Sequence, residues 1–291
     1  MTDSSQPTGA AAFESAHRLS GGRPDLTAID PHGKPAFDGD KKAGKKALAG
    51  LGDELADLQE RLFATRAVGA RHRILLVLQG MDTSGKGGTL RHTVGLVDPQ
   101  GVAITSFKAP TEEELAHDFL WRIRRALPEP GFVGVFDRSH YEDVLIARVR
   151  ELADPAELER RYDAINDFEA ELVDQGTVVV KCMLHISAEE QRERLLARLD
   201  DPTKHWKFNP GDIDERRVWP AYREAYEIAL ERTHTEVAPW YVIPGDRKWY
   251  RNLAVGHLLL GALQRLDLQW PEADFDVAEQ RARLVAEEPV A

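Results

Sequence analysis

The sequence predicts an α/β fold: a mostly parallel five-stranded sheet covered by helices on both faces, giving a three-layer sandwich. Three observations predict it. Five short apolar runs, at 74–78, 102–107, 132–136, 177–186 and 240–243, are near-continuous rather than alternating, as strands buried on both faces are. Helically patterned stretches separate them, which is the alternation of a parallel sheet. Helix starts are marked by Thr111-Glu-Glu-Glu114 and Ser187-Ala-Glu-Glu190, both of which fit the capping-box pattern.

Taken in order, residues 1–40 are rich in Ser, Gly, Pro and Ala and show little periodicity, so they read as a mobile N-terminal arm. From Lys41 to about Arg66, leucines at 48, 51, 55, 58 and 62 make one apolar stripe. That spacing predicts an amphipathic helix packed on the body of the domain, with a subunit contact as its lesser use. The first strand, 74–78, enters a glycine-rich turn, and Thr89 to Val97 read as the helix that follows. Residues 41–291 form a single domain in this reading, with 70–270 as its α/β body.

Composition narrows the partners. At 291 residues there is ample chain for a full core. No apolar run is long enough to span a bilayer, and the start lacks the basic and apolar segments of a secretory signal. The only cysteine, Cys182, lies in a strand-like run, so no disulfide is expected within one chain, which suits a reducing cytoplasm. The formal net charge of −11 opposes broad adhesion to nucleic acid or anionic membrane. A polyanionic substrate would need a local basic groove within this acidic body.

Gly80-Met-Asp-Thr-Ser-Gly85-Lys86-Gly87-Gly88 follows a strand and precedes a helix, the context in which Gly-x4-Gly-Lys means phosphate binding. Glycines let successive N–H groups point into one concavity, and the helix start adds its dipole. Gly85, Gly87 and Gly88 would thus wrap a phosphate, and Lys86 would bring a cation to one of its oxygens. Gly87 stands where most such loops carry a metal-binding Ser or Thr. Asp82, a carboxylate where phosphates should sit, makes sense if it holds a metal ion bridging to them.

Ligands of parallel sheets gather at the carboxyl ends of the strands. Asp137 ends the third run, at the position of a metal-binding Walker-B carboxylate, and can also orient an attacking oxygen. Arg138 beside it can neutralise phosphate charge, while His140 and Tyr141 fix the loop geometry. Lys108, just past the second run, is placed to meet an acceptor phosphate. Arg148 lies six residues beyond Glu142 on the helix leaving the Asp137 loop. Arg194 and Arg198 share a helix face, and Lys204 and Lys207 follow after Pro202. Such a basic flap, at about 188–210, would close on phosphates and exclude water. Trp206, Trp219, Trp240 and Trp249 are candidates for base stacking or for core packing. The ten histidines show no zinc-ligand spacing, and there is no Ser–His–Asp order.

These blocks together resemble the polyphosphate kinase 2 family. The likeness includes the loop at 80–88, Pro99-Gln-Gly-Val, Ser106-Phe-Lys-Ala-Pro-Thr, Phe136-Asp-Arg-Ser-His-Tyr-Glu-Asp-Val-Leu, His205-Trp-Lys-Phe and Ala238-Pro-Trp-Tyr-Val-Ile-Pro, in family order over about residues 48–265. The resemblance implies a P-loop kinase-like fold with a helical lid. It implies reversible phosphoryl transfer between inorganic polyphosphate and nucleotides with Mg2+, for which Mn2+ can substitute. By motif, Asp82 and Asp137 handle metal and phosphate positioning, while Lys86, Arg138, Arg148, Arg194, Arg198 and Lys207 bind phosphate. It further suggests a homo-oligomer, dimer or tetramer. Around His140-Tyr-Glu-Asp-Val-Leu the chain looks like the branch that uses both mono- and diphosphates, but there one expects Asn at 137 and Asp at 87. Asp137 is what the diphosphate-using branch carries, so AMP, ADP and GDP all stand as acceptors. An ATP-dependent small-molecule kinase, or a catalytically silent nucleotide-binding protein, are the competing readings.

Overall fold

The computed structural model describes residues 9–287. Along the chain run α1 (Ala10–His17), α2 (Lys41–Gly50), α3 (Gly52–Ala64), β1 (Arg73–Gln79), α4 (Lys86–His92), β2 (Val102–Ser106), α5 (Glu112–Leu115), α6 (Trp121–Arg125), β3 (Val133–Asp137), α7 (Glu142–Val149), α8 (Pro155–Asp174), β4 (Thr177–His185), α9 (Ala188–Leu199), α10 (Gly211–Arg217), α11 (Trp219–Thr233), β5 (Trp240–Pro244), α12 (Lys248–Gln264) and α13 (Val277–Ala286). The five strands lie in the order β2-β3-β1-β4-β5, and every pairing is parallel. The expected α/β sandwich is therefore what forms.

Alternation along each strand divides its apolar side chains between two cores. Ile74, Leu76 and Leu78 face one, with Val135, Cys182 and Ile243, beneath α3 and α12. Leu75 and Val77 face the other, with Phe136, Met183 and Trp240, beneath α7, α8 and α11. The Thr111 capping box is complete, whereas Ser187 supplies the side-chain half, accepting from the Glu190 N–H. After β1 the chain enters α4, which packs against α12, and after β3 it enters α7, which packs against α8 and α11. Neighbouring strands thus send their helices to opposite faces. That divergence opens a crevice at their carboxyl ends.

Two expectations need correction. The helix foreseen over 41–66 breaks at Leu51 into α2 and α3, because Gly50 and Gly52 flank it and glycine weakens a helix interior. Its stripe still packs on the body, with Leu48, Leu55 and Leu62 buried in the core beneath α12. The arm foreseen over 1–40 is docked wherever it is described, from Gly9 onward; residues 1–8 lie outside the described residues. Phe13 stacks on His257 with ring centroids 4.1 Å apart, Arg18 bridges antiparallel to Tyr241, and the Leu19 N–H donates to the Trp240 carbonyl. This segment covers the outer edge of β5, which would otherwise present unpaired backbone groups. A few apolar anchors, Phe13 and Leu26, suffice where composition suggested none.

Candidate active site

β1 and β3 end in register, Leu78 opposite Asp137, so the loops that follow them start side by side. Gly80 has φ +148°, and a Cβ there would meet the Leu184 carbonyl at 2.7 Å. Its N–H donates to the Tyr226 hydroxyl. Gly85, at φ +108°, turns the chain into α4, and a Cβ there would overlap the Arg251 guanidinium. Only glycine permits either approach.

Lys86 folds back to donate to the Gly80 carbonyl at 2.9 Å, arching over the loop it belongs to. Burial, then Arg138, lower its pKa, against Asp82, Asp137 and Glu142, which raise it. Arg138 Nη2 donates to Asp82 Oδ1 at 2.9 Å. Arg138 itself has φ +65°, and its N–H donates to the Leu78 carbonyl, fastening the start of this loop to the end of β1. Glu142, at the start of α7, has its pKa raised by burial against the pull of Arg138 and Lys86. Asp82, Arg138 and Glu142 line a cavity of about 300 Å³, closed opposite by Gln191, Asp212, Glu215 and Tyr222. Asp82, Asp137, Glu142 and Arg138 all act on the Lys86 ammonium, so three anionic groups and two cations converge where β1 and β3 end.

The remaining candidates divide. Arg198 half-emerges beside the cavity, donating to the Lys207 carbonyl at 3.0 Å and facing Asp212 at 3.5 Å. Lys207 is exposed, with its ammonium 4.8 Å from the Trp206 ring centroid. Arg194 is not exposed on a lid face. Its Nε donates to Glu190, Nη1 to the carbonyls of Thr83 and Ser84, and Nη2 to those of Gly245 and Asp246. With all five donors engaged, it braces the phosphate loop from behind and has no hydrogen left for a phosphate. Arg148 points away from the crevice, toward Glu159 at 3.9 Å and the Tyr162 ring. Six residues along a helix place it on the α8 side rather than over Asp137. Lys108 is exposed in a separate cleft of about 500 Å³ with Arg122 and Arg125.

Several participants escaped the sequence reading. Gln191 donates to the Asp82 carbonyl at 3.0 Å and accepts from Arg216 at 2.6 Å, tying α9 and α10 to the loop. Arg251, 2% exposed, donates to the Ser84 carbonyl at 3.0 Å. The signal for Arg251 was the polar cluster Asp246-Arg247-Lys248 just past the fifth apolar run. Behind the Asp137 loop, Glu169 accepts from Lys181 at 2.5 Å and from the Tyr141 hydroxyl at 2.8 Å, and lies 3.3 Å from His140 Nε2. His140 and Tyr141 therefore do anchor that loop. Trp240 and Trp249 are core residues, Trp219 borders the cavity, and Trp206 stands exposed.

The polyphosphate kinase 2 family profile matches residues 38–271. An AMP/ADP-polyphosphate phosphotransferase of Meiothermus ruber is 48% identical over 253 residues, 87% of this chain and 93% of that protein. An ADP-polyphosphate phosphotransferase of Rhodopseudomonas palustris is 42% identical, over 76% of this chain and 79% of its own. Among solved structures, polyphosphate kinase 2 from Arthrobacter aurescens superposes with a TM-score of 0.93 at 54% identity, covering 97% of this chain and all of that one. With loop, strand-end carboxylate and crevice arranged as above, the chain belongs to the polyphosphate kinase 2 family.

Proposed function

We propose that this enzyme moves a terminal phosphoryl group, reversibly, between inorganic polyphosphate and a nucleoside mono- or diphosphate, with AMP and ADP as acceptors. The carrying observation is the meeting of Asp82, Lys86, Asp137 and Arg138 at the crevice between β1 and β3. Relatives 48% and 42% identical, named for transfer between polyphosphate and AMP or ADP, support the substrate pair. In the forward direction a terminal phosphate oxygen of the nucleotide attacks the last phosphorus of the chain. The bridging P–O bond breaks, and the shortened polymer leaves with that electron pair.

This chemistry asks the protein for alignment and charge compensation rather than covalent participation. Lys86 and the loop N–H groups hold the transferred group, and Arg138 meets charge building on its oxygens. Asp137 orients the attacking oxygen. Asp82 and Asp137 are the residues that would hold magnesium. Mg2+ binds through one or two carboxylates plus phosphate oxygens and retained waters, so two half-buried carboxylates suit it. No cluster of three or more His, Cys, Asp or Glu forms a dedicated cage among the described residues. When bound, the ion would supply neutralisation of phosphate charge. We place the reaction in the cytoplasm, where nucleotides are and where buried, free Cys182 stays reduced. Homo-oligomerisation is a further part of the proposal, testable by light scattering. The exposed Val277, Leu284 and Val285 of α13 are the surface to mutate.

Incubation with magnesium, polyphosphate and AMP, ADP or GDP in turn, without ATP, tests the assignment. Appearance of the next-higher nucleotide is expected. Transfer only when ATP is the donor would refute it.

A further inference from the structure

The segment that precedes α2 does more than cover the edge of β5. Between Ile29 and His32 it crosses the carboxyl ends of β4 and β5, where Ile29 and Pro31 share the wall of a small cavity with Met81 of the phosphate loop. His185 Nε2 donates to the Ile29 carbonyl at 3.1 Å, the Asp246 N–H to that of Pro31 at 3.1 Å, and Arg247 Nε to that of His32 at 2.8 Å. This stretch precedes the residues that the family profile matches, so the shared motifs do not account for it.

Asp246 is the junction, and its side chain is wholly buried. Oδ1 accepts the N–H of Ser187, the residue that caps α9, at 2.9 Å. Its carbonyl accepts Arg194 Nη2 at 3.0 Å, and the same guanidinium reaches the carbonyls of Thr83 and Ser84 in the phosphate loop. Burial and then Arg194 pull the Arg251 pKa down to about 9, so Arg194 is held in place against repulsion from its neighbour. The groups that fix its acceptors therefore matter.

Oδ2 of Asp246 is in a different position. It is buried without an aligned hydrogen bond, and the only basic side chain at ion-pair distance among the described residues is His32, whose Nδ1 stands 2.7 Å away. A buried carboxylate oxygen is costly without such a partner, so this contact fixes how Asp246 is set. The His32 side chain itself is 58% exposed. Its loss opens no cavity and removes little besides this contact.

We propose that His32 is a positioning residue for phosphoryl transfer: through Asp246 and Arg194 it sets the phosphate loop that carries Lys86. Every contact of this relay, from His32 to the carbonyls of Thr83 and Ser84, is 3.1 Å or shorter. His32 touches no reacting atom. It acts on how fast bound substrates react, because alignment of the reacting groups depends on where the loop sits. The kinetic consequence rests on the polyphosphate-transfer reading, and the structural one does not.

The test is steady-state kinetics of the full chain with magnesium, polyphosphate and ADP, beside amide hydrogen exchange without substrate. In His32→Ala, kcat falls about tenfold through misalignment, while KM for ADP stays within about twofold. His32→Asn puts an amide N–H where Nδ1 stands and holds kcat within about threefold of the wild type. Phe13→Ala, in the part of the segment that packs on α12, lowers Tm and keeps kcat within about twofold when assayed below its transition. Exchange of the amides at 83–88 speeds up in His32→Ala and not in Phe13→Ala. Wild-type kcat in His32→Ala, equal losses in His32→Ala and His32→Asn, or a loss in Phe13→Ala as large as in His32→Ala each overturn the assignment and leave the transfer reading standing. A wild type that takes nothing from polyphosphate removes that reading instead. Exchange at 83–88 then still decides the relay, and unchanged protection in His32→Ala overturns it.

Discussion

Replacing Arg194 by Ala separates the phosphate-binding role expected from the sequence from the bracing role its contacts show. As a phosphate ligand its loss would weaken polymer binding and leave the fold alone. As a brace its loss strands the carbonyls of Thr83, Ser84, Gly245 and Asp246 and unpairs Glu190. Breaking a buried, hydrogen-bonded charge of this kind costs about 3–5 kcal/mol. Unfolding entropy of about 2.1 cal/mol/K per residue gives roughly 0.6 kcal/mol/K for 291 residues, so Tm should fall by roughly 5–8 °C. Relief of the repulsion on Arg251 offsets part of this, which favours the lower end. Turnover should fall with it, because the loop carrying Lys86 loses its backing. Arg194→Lys keeps the charge but not the fork, and should recover little. Differential scanning fluorimetry beside polyphosphate kinetics decides: an unchanged Tm with a raised KM for polyphosphate would refute the brace.

Lys86→Ala should lower turnover about 10²–10³-fold, the loss seen when one transition-state donor is removed, with the melting curve of the wild type. Near-wild-type turnover in the purified variant would end its assigned role. Lys181→Met leaves Glu169 buried without its cation and should cost about 3–5 kcal/mol in urea unfolding. Lys181→Met/Glu169→Leu should recover part of that loss, and no recovery would mean the pair is not the source. His17, held to about 4 by burial, stays neutral in the fold while the unfolded chain takes a proton near 6.5. Its contribution is therefore complete above 6.5 and lost as pH falls toward 4, by at most about 3 kcal/mol. Half-buried His257, also at about 4, stacks on the same Phe13, so acid should release α1 from α12 first. Hydrogen exchange in α1 that is no faster at pH 4.5 than at pH 7, after correction for intrinsic rates, would contradict this.

What the sequence made legible follows the range of the forces involved. The strands were readable because burial on both faces leaves a local record, an unbroken apolar run, as at 74–78. Loop and strand-end carboxylate were readable because each is a short motif whose own backbone places it. Arg194 was misread because its partners lie 111 residues back at Thr83 and 51 ahead at Gly245. Nothing within one helical turn distinguishes a buried guanidinium from a solvated one. Arg148 failed for a related reason: a helix brings it near, but α8 decides which way it points. The docked segment over 9–40 depends on scattered anchors, Phe13 and Leu26, which periodicity cannot detect.

Gly87 offers a way to locate the metal ligands. A Cβ at this position meets nothing within 4 Å, and its φ lies outside the left-handed range, so the backbone does not require glycine. Gly87→Ser should therefore fold with stability within about 0.5 kcal/mol of the wild type, the helix start gaining as much as it loses. The hydroxyl it adds is the one that most such loops use to hold magnesium. If Asp82 does that work from the other limb of the loop, Asp82→Asn alone should lower turnover at limiting magnesium and raise the magnesium needed for half-maximal rate. Adding Gly87→Ser to that background should recover at least part of both losses, whereas Gly87→Ser in the parent should change little. An Asp82→Asn enzyme with the parent's magnesium dependence would show that the carboxylate serves only its 2.9 Å contact with Arg138.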